Sequence, residues 1–181
     1  MSKNKFLLSK ENKQAFLEHL TLYMNSHNIT AIQSHGDADT LVVSTAVTAA
    51  SFSNVVVIGE DTDILILLLH HYQHDNTHNM FFMTDKNVKD KKIWNISEVK
   101  SKLSSKIIDC ILPIHAFLGC DTFSRVHSIG KGDESLQKIM SNEQFYGDFS
   151  NFNDKDTDKI NIANTGEKLC VGFTVDVMKI H

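Results

Sequence analysis

The sequence is poor in three residue types, and each scarcity restricts the kind of protein it encodes. Among 181 residues there are three cysteines, one proline (Pro113) and one arginine (Arg125). Cys110, Cys120 and Cys170 have no Cys-x-x-Cys spacing and no even count, which argues against a cysteine zinc site and favours a reducing compartment. Because only one arginine is present, bidentate phosphate clamps of the arginine type are nearly excluded.

Long apolar runs and a secretory signal are also missing. The longest apolar stretch covers residues 64–69, which is too short to span a bilayer, and the lysine-rich N-terminus lacks the apolar core of a signal peptide. We therefore expect an intracellular protein of the nucleus or cytoplasm, without membrane association. A net charge of −4 gives no global attraction to nucleic acid. Seven lysines between positions 85 and 106 outnumber three acidic residues, although such runs are most often a solvated surface.

Hydrophobic periodicity predicts a chain in which helices and strands alternate. The predicted helices cover residues 10–24, 41–50, 64–71, 97–103, 107–118 and 158–169, and the predicted strands cover 29–32, 55–58, 80–83 and 93–96. Residues 55–58 are the expected central strand, buried on both faces, and Ser97 is the expected cap of its helix. Residues 147–158 are rich in Asn and Asp and predict a loop. The order indicates an α/β fold with a mostly parallel sheet and flanking helices.

Five aspartates stand in three short groups at the ends of these predicted elements. They are Asp37 and Asp39, Asp61 and Asp63, and Asp121 within Gly-Cys-Asp-Thr. Carboxylates gathered at one place repel each other by about 3 kcal/mol per pair at roughly 5 Å and an effective dielectric of about 20, unless a hard cation lies between them. The groups therefore predict a Mg²⁺ or Mn²⁺ site, at the carboxyl end of the strand at 55–58 where ligands of open sheets gather.

Each group also has a plainer interpretation. Asp63 can cap the helix that starts near residue 64, and Asp37 or Asp39 can cap the helix at 41–50, because helix N-termini favour acidic side chains. Asp121 can be an ordinary loop aspartate. The joint occurrence of the three groups, together with the motif that follows Asp121, favours the metal site.

That motif predicts contacts with a phosphate backbone. After Asp121 the chain passes Arg125 and reaches the segment Ile129, Gly130, Lys131 and Gly132, a glycine hairpin expected to open a second helix. The backbone N–H groups of such a hairpin and the charges of Arg125 and Lys131 suit phosphate groups rather than base edges.

With these motifs in this order, roughly residues 12–135 resemble the PIN-like 5′-nuclease superfamily, which includes flap endonucleases. The similarity is greatest to an uncharacterised, often transposon-associated branch with sequences like Gly-Glu-Asp-Thr-Asp and His-Ala-Phe-x-Gly-Cys-Asp-Thr. The family's first strand, which bears its own aspartate, has no counterpart here, and Ser128 replaces a usual hairpin glycine. The resemblance thus implies the C-terminal portion of a nuclease domain at residues 1–140, with a helix–hairpin–helix at 112–140 and a loop and helical tail at 141–181.

The resemblance implies a metal-dependent phosphodiesterase, a structure-selective nuclease of the 5′-nuclease type that cleaves DNA or RNA with two Mg²⁺ or Mn²⁺ ions. Asp37, Asp39, Asp61, Asp63 and Asp121 would be the metal ligands, and all but Asp37 would be catalytic. Arg125 and residues 129–132 would bind nucleic acid. A protein partner or an upstream half of the same domain would complete the site.

Other functions remain open on the sequence. The chain can be a catalytically incomplete module, derived from a nuclease, that binds nucleic acid or protein. A phosphatase-like enzyme with an aspartate nucleophile lacks its complete motif here. His70, His71, His74 and His78 can place imidazoles on one helical face for zinc, without the usual Cys or acidic partner. His35 and His115 lie near the acidic groups in sequence and can support them, or serve only in the core or at the surface.

Overall fold

The computed structural model describes residue 6 and residues 8–73, 77–84, 92–119, 143–153 and 156–178, without the side chains of 143–146 and 172–178. The fold is α/β, 62% helical, with one small mixed sheet. The chain divides into two compact units, Met1–Leu41 and Val42–His181. Within the described residues, no helix is both long and apolar enough to cross a membrane.

The first unit contains one long helix, α1 (Lys10–Ser26), which confirms the helix expected at 10–24. It begins after Ser9, whose hydroxyl accepts the Asn12 N–H, and it buries none of its residues. The strand expected at residues 29–32 is wrong, since this segment is irregular. The Ala31 N–H donates a hydrogen bond to the side-chain oxygen of Asn25 at 2.9 Å, and not to a neighbouring strand. The β-branched residues of this segment therefore do not lead to a strand here. Helix α2 (Ala38–Ala50) begins in this unit and continues into the second.

The sheet of the second unit has three strands, β1 (Val55–Ile58), β2 (Met80–Met83) and β3 (Ile93–Asn95), in the order β1-β2-β3. β1 and β2 are parallel with Val57 beside Phe82, whereas β3 is antiparallel to β2. The expected edge position of β3 is confirmed. The expectation of a mostly parallel sheet is met only by one parallel pair among the described strands.

β1 is not a central strand within the described part of the chain. Only Val57 is buried, at 6% exposure, whereas Val56 and Ile58 are 54% and 57% exposed. The prediction of burial on both faces was wrong, because an unbroken run of Val and Ile reports the apolar character of a strand but not how many neighbours it has.

The described residues of the second unit contain five further helices: α3 (Thr62–His71), α4 (Ile96–Ser101), α5 (Ser105–Leu118), α6 (Glu143–Ser150) and α7 (Lys159–Met178). Helix α3 connects the parallel strands β1 and β2 as their crossover. The cap of α4 is Asn95, whose Oδ1 accepts the Glu98 N–H at 3.2 Å, and not the expected Ser97. The loop expected at 147–158 is shorter, because α6 continues to Ser150.

Helix α5 joins two hydrophobic cores. The larger core packs α2, α3 and α4 against the sheet around Leu68, Met80 and Ile96, all with 0% exposure, and α5 adds Ile111 to it. The smaller core places other α5 side chains against α6 and α7, where Phe149 and Leu169 are fully buried. The position of α5 is therefore fixed on two sides by apolar burial.

Pro113 lies in the interior of α5 and not in its first turn. A proline has no N–H, so the carbonyl of Asp109, four residues earlier, loses its helical donor. The amide nitrogen of the Asn153 side chain donates a hydrogen bond to this Asp109 oxygen. A residue just after α6 thus compensates for the proline and ties the α6–α7 segment to α5.

Candidate metal site

Asp61 and Asp63 lie where β1 gives way to α3. The strand pairing continues to Gly59, whose N–H donates to the Met83 carbonyl at 3.0 Å. Asp61 is extended, with φ −84° and ψ 127°, and its Oδ1 accepts the Asp63 N–H at 2.9 Å. Asp61 is therefore the N-cap of α3, and Asp63 follows in the first turn. The capping role considered for Asp63 belongs to Asp61, because the helix begins two residues earlier than the apolar run does.

Asp63 is held from a distant part of the sequence by His115. The Nε2 atom of His115 lies 2.7 Å from Asp63 Oδ1, and the two side chains are only 17% and 21% exposed. His115 belongs to the last turn of α5, and Asp63 to the first turn of α3, so the two helices run antiparallel at this contact. Of the histidines near the acidic groups in sequence, His115 reaches a carboxylate within the second unit.

Each of these two carboxylates keeps one oxygen outside these contacts. Asp61 uses Oδ1 for the helix cap, and Asp63 uses Oδ1 for His115; in the described part of the chain, neither Oδ2 atom has a hydrogen-bond partner. Carboxylate oxygens are the hard ligands that Mg²⁺ and Mn²⁺ prefer, and Mg²⁺ commonly completes its shell with water. The pair therefore fits part of a divalent-cation site.

Asp37 and Asp39 belong to the first unit, and there Asp37 acts as the capping residue of α2. Its Oδ1 accepts the Asp39 N–H at 3.2 Å, and its Oδ2 accepts the Thr40 hydroxyl at 2.8 Å. The expectation that Asp37 or Asp39 caps this helix is confirmed for Asp37. Both Asp37 oxygens are therefore bound within the first turn of α2.

The remaining predicted site residues follow α5. The helix ends at Leu118, and its C-cap is Gly119, whose φ of 93° lies in the region that favours glycine; this explains the first residue of the Gly-Cys-Asp motif. Outside the described residues lie Asp121, Arg125, Ile129, Gly130, Lys131 and Gly132, and with them most of the expected helix–hairpin–helix. Over the residues that are described, no three or more His, Cys, Asp or Glu side chains form a group suited to a metal ion.

Three of the four histidines considered for zinc are described, and they do not gather into such a group. His70 and His71 stack edge to face with ring centroids 4.7 Å apart, and His78 hydrogen-bonds to its neighbour Thr77. His74 lies outside the described residues, and His35, in the first unit, is exposed.

A second polar feature lies at the opposite end of the α3–α5 pair and was not expected from the sequence. His70, His71, Lys100 and Asp109 line a groove of about 690 Å³. Partial burial, with the nearby positive charges of His70 and Lys100, lowers the pKa of His71. Burial also lowers the pKa of Lys100, against the opposing effect of Asp109. The paired histidines at a helix end are the only sequence signal for this groove.

The chain matches no known protein-family model, and no curated protein or solved structure is detectably similar to it.

Proposed function

We propose that the protein is a divalent-metal-dependent phosphodiesterase of the 5′-nuclease type, acting on DNA or RNA. The observation that carries the proposal is the arrangement of Asp61 and Asp63 at the carboxyl end of β1, each with an Oδ2 atom outside the hydrogen bonds described above. Open α/β sheets bind ligands at this edge. Two acidic side chains two residues apart at the start of one helix repel each other, and a bound cation would relieve that repulsion.

The expected ligand set extends beyond this pair. Helix α5 contacts Asp63 through His115 and is capped by Gly119, and Asp121 follows two residues after that cap in the sequence. Asp121 is proposed as a further ligand, as the family resemblance implies, whereas the metal-binding roles of Asp37 and Asp39 stay predictions from the sequence. A bound pair of Mg²⁺ ions would supply an activated water and stabilise the leaving oxygen of a phosphodiester. Lys131 and Arg125 are proposed to contact phosphates rather than bases.

Cleavage assays test this proposal directly. Labelled flap, hairpin and single-stranded DNA, and the corresponding RNA, are incubated with the protein and Mg²⁺ or Mn²⁺, with a chelator as the blank. We expect metal-dependent cleavage that Asp61→Asn abolishes. The matched control is Glu60→Gln, which removes one negative charge from the adjacent exposed position and is expected to cleave like the wild type.

A non-catalytic interaction module is the second candidate, and one observation favours it. Val56 and Ile58 on β1 and Ile93 on β3 are all more than half exposed, and the strand registers place them on one face of the sheet. Exposed apolar side chains grouped on a sheet face are common at protein interfaces. If the folded protein shows no metal-dependent binding or cleavage of any substrate in these assays, the result would favour this second function.

A further inference from the structure

The groove beside His70 and His71 gathers polar side chains from three helices. His70 and His71 belong to the last turn of α3, Lys100 to α4, and Ser105 and Asp109 to α5. The groove volume of about 690 Å³ lies within the range of roughly 300–1,000 Å³ that is usual for small-molecule sites. Ionisable groups from separate helices therefore meet at a space that can hold a ligand.

Two of the basic side chains are fixed by backbone carbonyls and still have donors to offer. The Nζ atom of Lys100 donates to the Tyr72 carbonyl at 2.7 Å, which uses one of its three N–H bonds. The Ile108 carbonyl can only accept, and it lies 3.4 Å from Nδ1 of His70, so we assign the proton of the neutral ring to Nδ1. Protonation of His70 then adds a second donor at Nε2.

The basic groups of the groove disfavour one another's charge. The His70 and His71 rings stack edge to face with their centroids 4.7 Å apart. The pKa of His71 is lowered first by burial and then by the charges of His70 and Lys100. Among the described residues that line the groove, Asp109 supplies the one carboxylate against these three basic groups. A bound anion would relieve the repulsion, and the groove also includes Ser105, the first residue of α5, where the helix dipole favours negative charge.

We propose that this groove binds a small phosphate monoester, with the phosphate held by Lys100, His70 and His71. The oxygens of a phosphate point in several directions, which suits donors that come from different helices, whereas the two oxygens of a carboxylate lie in one plane. The groove is also lined by the apolar side chains of Leu103 and Ile108, which suit an organic part of the ligand.

Isothermal titration calorimetry on the full chain at about pH 6.5, where an ordinary imidazole is half protonated, tests the ligand class. The probes are phenyl phosphate, benzoate and phenol, which share one ring and differ in the charged group. We expect phenyl phosphate to bind saturably, benzoate to bind about tenfold more weakly, and phenol to show no binding. Benzoate that binds as tightly as phenyl phosphate would overturn the assignment to phosphate.

Three substitutions test the groove itself. Lys100→Met keeps the length of the side chain without its charge, and we expect the affinity for phenyl phosphate to fall at least about tenfold. The matched control is Lys102→Met, which removes the same charge two residues away, where Lys102 is 70% exposed and pairs with Glu98; its affinity should stay within about twofold of the wild type. Asp109→Asn removes the opposing carboxylate and should tighten binding by about threefold, a gain that loss of folding cannot produce.

The imidazoles predict a pH dependence of a definite sign. A bound anion favours the charged rings of His70 and His71, so binding takes up protons and the affinity should rise as the pH falls. Inorganic sulfate keeps its charge over this range and is therefore the probe. We expect sulfate to bind at least about threefold more tightly at about pH 6 than at about pH 7.5, and the double variant His70→Gln/His71→Gln to lose this dependence.

The remaining outcomes each decide the inference. It is overturned if phenyl phosphate does not bind, or if Lys100→Met and Lys102→Met weaken binding equally, which would indicate an adventitious surface attraction only. An unphosphorylated single-stranded oligonucleotide that displaces phenyl phosphate would also overturn it, in favour of a nucleic-acid surface. The inference is independent of the proposed function, because Asp61 and Asp63 stand at the other end of α3. Asp61→Asn should therefore abolish cleavage and bind phenyl phosphate like the wild type.

Discussion

Asp61 caps helix α3 and is a proposed metal ligand, and a pair of substitutions separates the cap from the charge, because asparagine caps a helix as well as aspartate does but carries no charge. In the structure its Oδ1 accepts the Asp63 N–H at 2.9 Å, which is the capping contact of α3. Asp61→Ala removes both the cap and the charge. Asp61→Asn removes the charge alone and keeps an oxygen in the capping position.

The magnitudes follow from these contacts. Loss of the cap costs about 1 kcal/mol, which lowers the Tm of a chain of this size by roughly 2–4 °C. The charge has two opposing effects in the metal-free protein. The helix dipole favours it by about 0.3–1 kcal/mol. Repulsion by the Asp63 carboxylate opposes it, by about 3 kcal/mol for charges roughly 5 Å apart at an effective dielectric of about 20, and by less with solvent screening. We therefore expect Asp61→Asn to be at least as stable as the wild type without metal, and Asp61→Ala to be less stable.

Thermal unfolding followed by circular dichroism, with chelator and with Mg²⁺, measures both roles. A bound cation, present at a concentration of about one hundred times its Kd, would stabilise the folded wild type by about 2.7 kcal/mol. This corresponds to an increase in Tm of roughly 5–10 °C for a chain of this size. Both Asp61 variants should lose most of this increase. The reasoning is refuted if Mg²⁺ raises the Tm of Asp61→Asn as much as that of the wild type, or if Asp61→Asn is destabilised without metal as strongly as Asp61→Ala.

Three further predictions concern the fold that supports the site. Leu68→Ala, at a fully buried position of α3, should lower the free energy of unfolding by about 3–5 kcal/mol in urea titrations; a loss below about 1 kcal/mol would contradict the core described here. Asn153→Ala should lower the free energy of unfolding by about 0.5–1.5 kcal/mol in the wild type. The loss should be clearly smaller in a Pro113→Ala background, because the restored helical N–H donates to the Asp109 carbonyl. Equal losses in the two backgrounds would refute this coupling. Partial burial is the main cause of the lowered pKa of His71, so the unfolded chain binds more protons than the folded chain just below pH 6.5. The free energy of unfolding should therefore fall as the pH drops through that range. His71→Gln should reduce this pH dependence, as measured by urea midpoints between pH 5 and 7.5.

The local sequence determined those elements whose structure depends on the pattern of side chains within one segment. The apolar periodicity of α1 and the apolar run of β2 predicted both elements close to their observed bounds, because these patterns depend on the period of the side chains along one segment. The acidic pair at 61 and 63 likewise followed from its place after an apolar strand.

Tertiary structure decided which partner each segment and side chain found. The residues 29–32 have strand composition but form no strand, and β1 has the sequence of a central strand but leaves Val56 and Ile58 exposed, since strand pairing depends on distant residues. In the same way, His115 stands 52 residues from Asp63 and reaches it only because apolar burial fixes α5 beside α3. The sequence by itself supplied the carboxylates, and helix packing selected the histidine that holds one of them.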